Sequence, residues 1–243
     1  MATQATMTLE ALTARLQRTF GEALGAVVLY GSAARGEAVD ARSDLNVLVT
    51  VRRLEPAALR ALAATVTEWT AAGHPPPLLL TEAEWRGSAD IFAIEVADIL
   101  DRHRVLVGAL PPEPQRVDPA HLRHQLEFEA MGKLLALRQG ILAAGGRPEQ
   151  ELELLARSRS AVLVLFRTLL RVHSERGADG PEDVVRRAAA RAGFDPAPFL
   201  EVLAHVTGAA PIPAARADAV LTAYHAGLER LTSHVDALVQ GDG

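Results

Sequence analysis

Apolar residues recur at Leu9, Leu12, Leu16, Phe20 and Leu24, with Thr8, a good capping residue, just ahead of them. This spacing predicts a helix over Thr8 to Leu24, ended by Gly25. The apolar run Ala26 to Tyr30 predicts a strand, and Gly31-Ser32 a tight turn after it. A loop over Asp40 to Ser43 leads into a second strand, Asp44 to Val51. On its alternating pattern Asp44, Asn46 and Leu48 face one way and Leu45, Val47 and Val49 the other. Leu59, Leu62, Val66 and Trp69 predict a helix over Pro56 to Trp69. Gly73 to Pro77 breaks the chain, and Leu78 to Thr81 is a short buried strand. The run Ser88 to Ile99, apolar with embedded acids, predicts another central strand. On that reading Glu95 faces with Ala93 and Ala97, and Asp98 with Ile94 and Val96. Arg104 to Val107 is a last short strand before Gly108.

The period changes after Pro111, Pro112 and Pro114. From Pro119 onward the pattern is helical. Leu122 to Gln139 forms one long helix, with Gly140 inside or just beyond its pattern. Glu149 to Glu175 forms a second, strongly apolar from Ala161 to Leu170 and therefore the centre of a bundle. Glu182 to Ala192, Pro196 to Val206 and Pro213 to Leu238 give three more. The chain thus divides into residues 1–110, a proline-rich linker at 111–118 and a helical bundle at 119–243. The fold class is α+β: a mixed sheet flanked by helices, followed by an all-α bundle.

Composition narrows the functional classes. The 243 residues are 49% hydrophobic and 23% charged, enough to bury a core in either one large or two modest domains. There is no cysteine, which removes disulfides, cysteine-built zinc sites and a thiol nucleophile, and fits a cytoplasmic protein. The net charge is −5, with ten basic and fourteen acidic residues before Pro114 and fifteen and sixteen after it. Neither half carries the basic footprint that duplex nucleic acid requires. Met1 to Thr8 lacks a signal-peptide pattern, and no apolar run reaches the length of a membrane span. The expected partners are therefore small molecules, and the apolar second bundle helix permits a homodimer.

The chemistry concentrates in two stretches. Leu29-Tyr30-Gly31-Ser32-Ala33-Ala34-Arg35-Gly36 reads as strand, turn and helix start, and Ser43-Asp44-Leu45-Asn46 opens the next strand. Glycine lets the backbone approach a phosphate closely, and the amides after it point at an anion. Asp44 and Asn46 put two oxygen ligands on one strand face opposite that turn, an arrangement suited to a nucleoside triphosphate and its magnesium. Gly31-Ser32, Arg35-Gly36 and Ser43-Asp44-x-Asn46 resemble the signature of the DNA polymerase beta-type nucleotidyltransferase superfamily. The closest branch by pattern is the bacterial aminoglycoside (streptomycin/spectinomycin, kanamycin) nucleotidyltransferases, which also place a helical bundle after the motif-bearing domain. The motif covers roughly the first hundred residues.

The resemblance implies an activity: transfer of a nucleoside monophosphate from ATP to a hydroxyl of a small molecule, with magnesium-dependent release of pyrophosphate. Gly31, Ser32 and Arg35 then hold the triphosphate. Asp44, Asn46 and Glu95 hold Mg2+, and Glu95, in a segment resembling the family strand that carries the third acid, takes the acceptor proton. Asp98 competes with Glu95 if the register is off by one. The bundle closes over the acceptor. The departure is Asn46, where the family has a second Asp, since an amide oxygen carries no charge to attract the cation. The alternative is therefore a weakened or inactive nucleotidyltransferase-fold module that binds a nucleotide or a partner. A third reading, a toxin–antitoxin-like transferase acting on a protein or RNA end, sits poorly with the low positive charge.

Each candidate has a plainer reading. Asp44 alone is an ordinary strand-start acid, Glu95 a strand acid satisfied by an arginine, and Arg35 a solvated charge. Glu127 and Glu129 attract a cationic substrate or form a solvated helix face; two apart, they point to different sides. Arg167 and His173 loosely resemble the Arg-then-His motif of HEPN-type helical ribonucleases, but six residues apart they fall on different helix faces and read as surface charges. His121 and His124 can meet on one helical turn, with no third zinc ligand indicated.

Overall fold

The computed structural model describes residues 7–35, 45–112, 114, 116–175 and 180–240. It falls into two compact units, Met1–Asp118 and Pro119–Gly243. Helix α1 of the first unit spans Leu9–Phe20, and the Thr8 hydroxyl accepts a bond from the Ala11 amide at 3.2 Å. The helix stops four residues short of the expected Leu24 because Gly21 takes a positive φ of 51° at its C-cap. A 3-10 turn, Gly21–Ala23, comes next, and Leu24 opens strand β1, Leu24–Tyr30.

Strand β1 is central in a four-stranded mixed sheet. It pairs antiparallel with β2, Asn46–Val51, on one side and with β4, His103–Gly108, on the other. Strand β3, Leu78–Thr81, joins parallel to β2, giving the order β3-β2-β1-β4. Helix α2, Pro56–Ala71, forms the crossover between these parallel strands. Helix α3, Glu82–Gly87, starts with a capping box between Thr81 and Glu84.

The two sheet faces bury different partners. Val27, Leu29, Val47, Val49 and Val51 share a core with Leu12, Leu16 and Phe20 of α1 and Leu62 and Trp69 of α2. Ala26, Val28 and Leu48 share another with Trp85 of α3 and with Val96 and Ile99. Those last two lie on helix α4, Ala93–Asp101. The central strand expected over Ser88 to Ile99 is thus incorrect. The amides of Ile91 and Phe92 turn back onto the Ser88 carbonyl, and the buried set Ala93, Ile94, Val96 and Ile99 has helical spacing. In so short a run, Ile94 and Val96 match the alternating period while Ala93, Val96 and Ile99 match the helical one, and the alternating one does not hold.

In the second unit the helices are α5, Pro119–Ala144; α6, Pro148–Val172; α7, Pro181–Ala192; α8, Ala197–Thr207; and α9, Ala217–Gln240. Helix α6 packs against α5, α7, α8 and α9, as its apolar sequence demands. Phe166, Phe194, Phe199 and Tyr224 meet ring to ring in this core, with centroids 4.4–5.2 Å apart. Among the described residues no helix is long and apolar enough to cross a membrane.

Candidate functional site

The site starts where β1 ends. Gly31 has a φ of 79°, a conformation that L side chains rarely adopt. A 3-10 turn, Ser32–Arg35, comes directly after it, and the Ala34 amide donates to the Gly31 carbonyl at 3.2 Å. The first amides of such a turn lack a partner within the turn itself and can donate to an anion. The antiparallel register sets Tyr30 opposite Asn46, the first residue of β2. Asn46 therefore lies against the turn: a Cβ at Gly31 would come within 3.2 Å of Asn46 Nδ2. The Gly31 turn and the polar start of β2 are therefore adjacent.

Tyr30 shares the face of β1 that carries Ala26 and Val28, towards α4. Burial pushes its hydroxyl up to about 12, and the carboxylates of Glu95 and then Asp98 add to the shift. Both acids thus lie near one phenol. Strand geometry would have sent them to opposite faces; on α4 they are three residues apart and share a side. The choice between Glu95 and Asp98 therefore does not arise from register. His103 on β4 is the other register partner of Tyr30, with its Nδ1 2.7 Å from the Ile99 carbonyl oxygen. Neither Tyr30 nor His103 stands out as a site residue in the sequence. Tyr30 is visible there as the residue before Gly31, but His103 depends on a strand pairing that no local pattern encodes.

Asp44, with Gly36 and Ser43, lies outside the described residues, as do the side chains of Ser32 and Arg35. Of the three expected magnesium ligands, Asn46 and Glu95 are among the described residues and Asp44 is not. Position 46 offers only an amide oxygen, and β3, the strand beside β2, presents Leu78, Leu79 and Leu80. Among the described residues no three His, Asp or Glu side chains converge where a metal ion would sit.

The remaining candidates lie in the second unit. Glu129 is paired with Lys133 at 2.9 Å, and Glu127 is half-buried. His121 and His124 are exposed, and His124 Nδ1 lies 2.8 Å from the Ala120 carbonyl oxygen. Arg167 and His173 are half-buried, not the surface charges expected, because α6 is wrapped by other helices. His173 meets His234 of α9, with Nε2 atoms 3.5 Å apart.

The mixed sheet with its Gly31 turn, leading into a set of helices, is a nucleotidyltransferase-like fold. No family model matches the chain, nor does any curated protein. Among solved structures, the chain is similar to spectinomycin adenyltransferase AAD(9) from Enterococcus faecialis, whose structure was solved with ATP and spectinomycin. The TM-score is 0.57 over 93% of this chain and 96% of that one, at 11% sequence identity. At that identity the likeness is one of fold.

Proposed function

We propose that this protein binds a nucleoside triphosphate, ATP first among them, at the Gly31-Ser32 turn, and that the binding outlasts or exceeds its capacity for transfer. The observation that carries this reading is the pairing of Gly31 with Asn46. A left-handed glycine leaves the backbone bare, and an uncharged amide lies against it. An amide can donate directly to a phosphate oxygen, whereas the second Asp of the family pattern would repel that phosphate unless a cation stood between them. Ser32 and Arg35 complete the phosphate contacts on this reading. The fold likeness to an adenyltransferase solved with ATP supports the choice of nucleotide.

A second reading is favoured by the acids that remain. Asp44 stands two residues before Asn46 in sequence, and Glu95 and Asp98 share one side of α4 near Tyr30. These groups support transfer of a nucleoside monophosphate from ATP to a hydroxyl of a small molecule, an aminoglycoside being the class suggested by the structural neighbour. Glu95 then takes the acceptor proton. Asn46 brings no charge to hold a second cation, and this favours binding without efficient turnover. The protein incubated with labelled ATP, magnesium and a panel of aminoglycosides decides between the two. ATP binding without label transfer is the expected result. Transfer that disappears in Asp44→Ala establishes the second reading, and failure to bind any nucleotide overturns both.

A further inference from the structure

The Arg167-to-His173 stretch ends in a pair of histidines that the nucleotide reading does not use. His173 caps the C-terminus of α6, and His234 lies on α9, sixty-one residues further along the chain. Their Nε2 atoms are 3.5 Å apart and the rings are tilted by 37° with centroids 5.7 Å apart. A zinc ion with nitrogen ligands at about 2.0–2.1 Å in tetrahedral geometry separates any two of them by about 3.4 Å. We propose that His173 and His234 form a binding site for a divalent transition-metal ion of the zinc type, held by the two Nε2 atoms and completed by water.

Several features of the bundle suit this site. The two ligands come from different helices of one core, so the packing of α6 on α9 presets their separation. The two Nε2 atoms face each other across a partly buried gap, the separation that two ligands of one ion require. Without a metal, the close contact requires one ring to carry its proton on Nε2. On metal binding that ring carries it on Nδ1 instead, a change of tautomer with no net loss of charge. Arg191, the cation that acts on both rings, is bound through its Nε to Glu175, which also accepts from Arg187 Nη2 at 3.0 Å. Glu175 thereby offsets the repulsion Arg191 would exert on a metal. Among the described residues no third His, Asp or Glu joins the pair, which leaves the outer positions to water. Imidazole selects zinc, copper or nickel over magnesium, so the site is chemically distinct from one built for a nucleotide.

The full chain, stripped with a chelator, is titrated with Zn2+ by calorimetry and with Co2+ by visible absorption. One ion per chain is expected, with affinity falling at least tenfold in His173→Ala and in His234→Ala and unchanged in His121→Ala. Diethylpyrocarbonate labelling of the unmutated protein, read by peptide mass, keeps the test independent of variant folding. Zinc is expected to protect His173 and His234 while leaving His121 reactive. Absence of zinc binding, unchanged binding in both alanine variants, or labelling of the pair that zinc does not alter each overturns the proposal.

Discussion

The side chains of Tyr30 and Asn46 and the bare Cα of Gly31 meet at the end of β1. Gly31 takes a side chain at a cost: its φ of 79° strains any L residue, and a Cβ would meet Asn46 Nδ2 at 3.2 Å. Gly31→Ala costs about 1–2 kcal/mol in backbone strain, which a lowered melting temperature reports, and it removes ATP binding. Asn46→Asp restores the charge the family pattern carries there. It is expected to make ATP binding more dependent on magnesium; an unchanged magnesium titration would count against the proposed placement. Tyr30 offers an independent check on its surroundings. The ordinary tyrosine value is about 10, and the folded value is pushed up to about 12. The unfolded chain therefore gives up this proton first, and stability is lost as pH rises from about 10 through 12. Tyr30→Phe flattens that alkaline loss. The chain has two tyrosines, and Tyr224 is shifted upward as well by burial. Absorbance at 295 nm is accordingly expected to show little tyrosinate at about pH 10.5 until the protein unfolds.

At the scale of elements, legibility in the sequence depends on how local the determining forces are. Strand β3 and the long bundle helices are set by periodicity and breakers, because Gly and Pro punctuate the chain at their ends. The turn at Gly31 is readable because its residue types state the backbone conformation. Helix α4 is not, since Ile94 and Val96 fit alternation, Ala93, Val96 and Ile99 fit a helix, and the decision belongs to the tertiary core around Trp85. Glu95 is legible as an acid near the turn, but its pattern points to the wrong kind of element. The pairing of His173 with His234 has no local signal at all, as it joins residues on two helices distant in sequence. Helix packing also yields a test of its own. A Cβ at Gly227 of α9 would come 2.5 Å from Phe199 Cε2, inside the ring cluster. Gly227→Ala gains about 1 kcal/mol of helix propensity but overpacks the core by about 1–3 kcal/mol. Thermal unfolding should show a net loss; a raised melting temperature would mean that Phe199 moves freely.

The whole molecule joins two units with separate cores, one around a mixed sheet and one around α6. Its fold is nucleotidyltransferase-like, and the proposal made for it is that the Gly31 turn and Asn46 hold a nucleotide. On that proposal the fold sets the place of the turn, and the charge at position 46 governs whether a bound nucleotide is also turned over. A binding isotherm of ATP on the full chain, with and without magnesium and beside Gly31→Ala, tests this most directly. The expected result is saturable one-to-one binding that persists without magnesium and is lost in Gly31→Ala. An isotherm showing no ATP binding, or binding unchanged by Gly31→Ala, would contradict it.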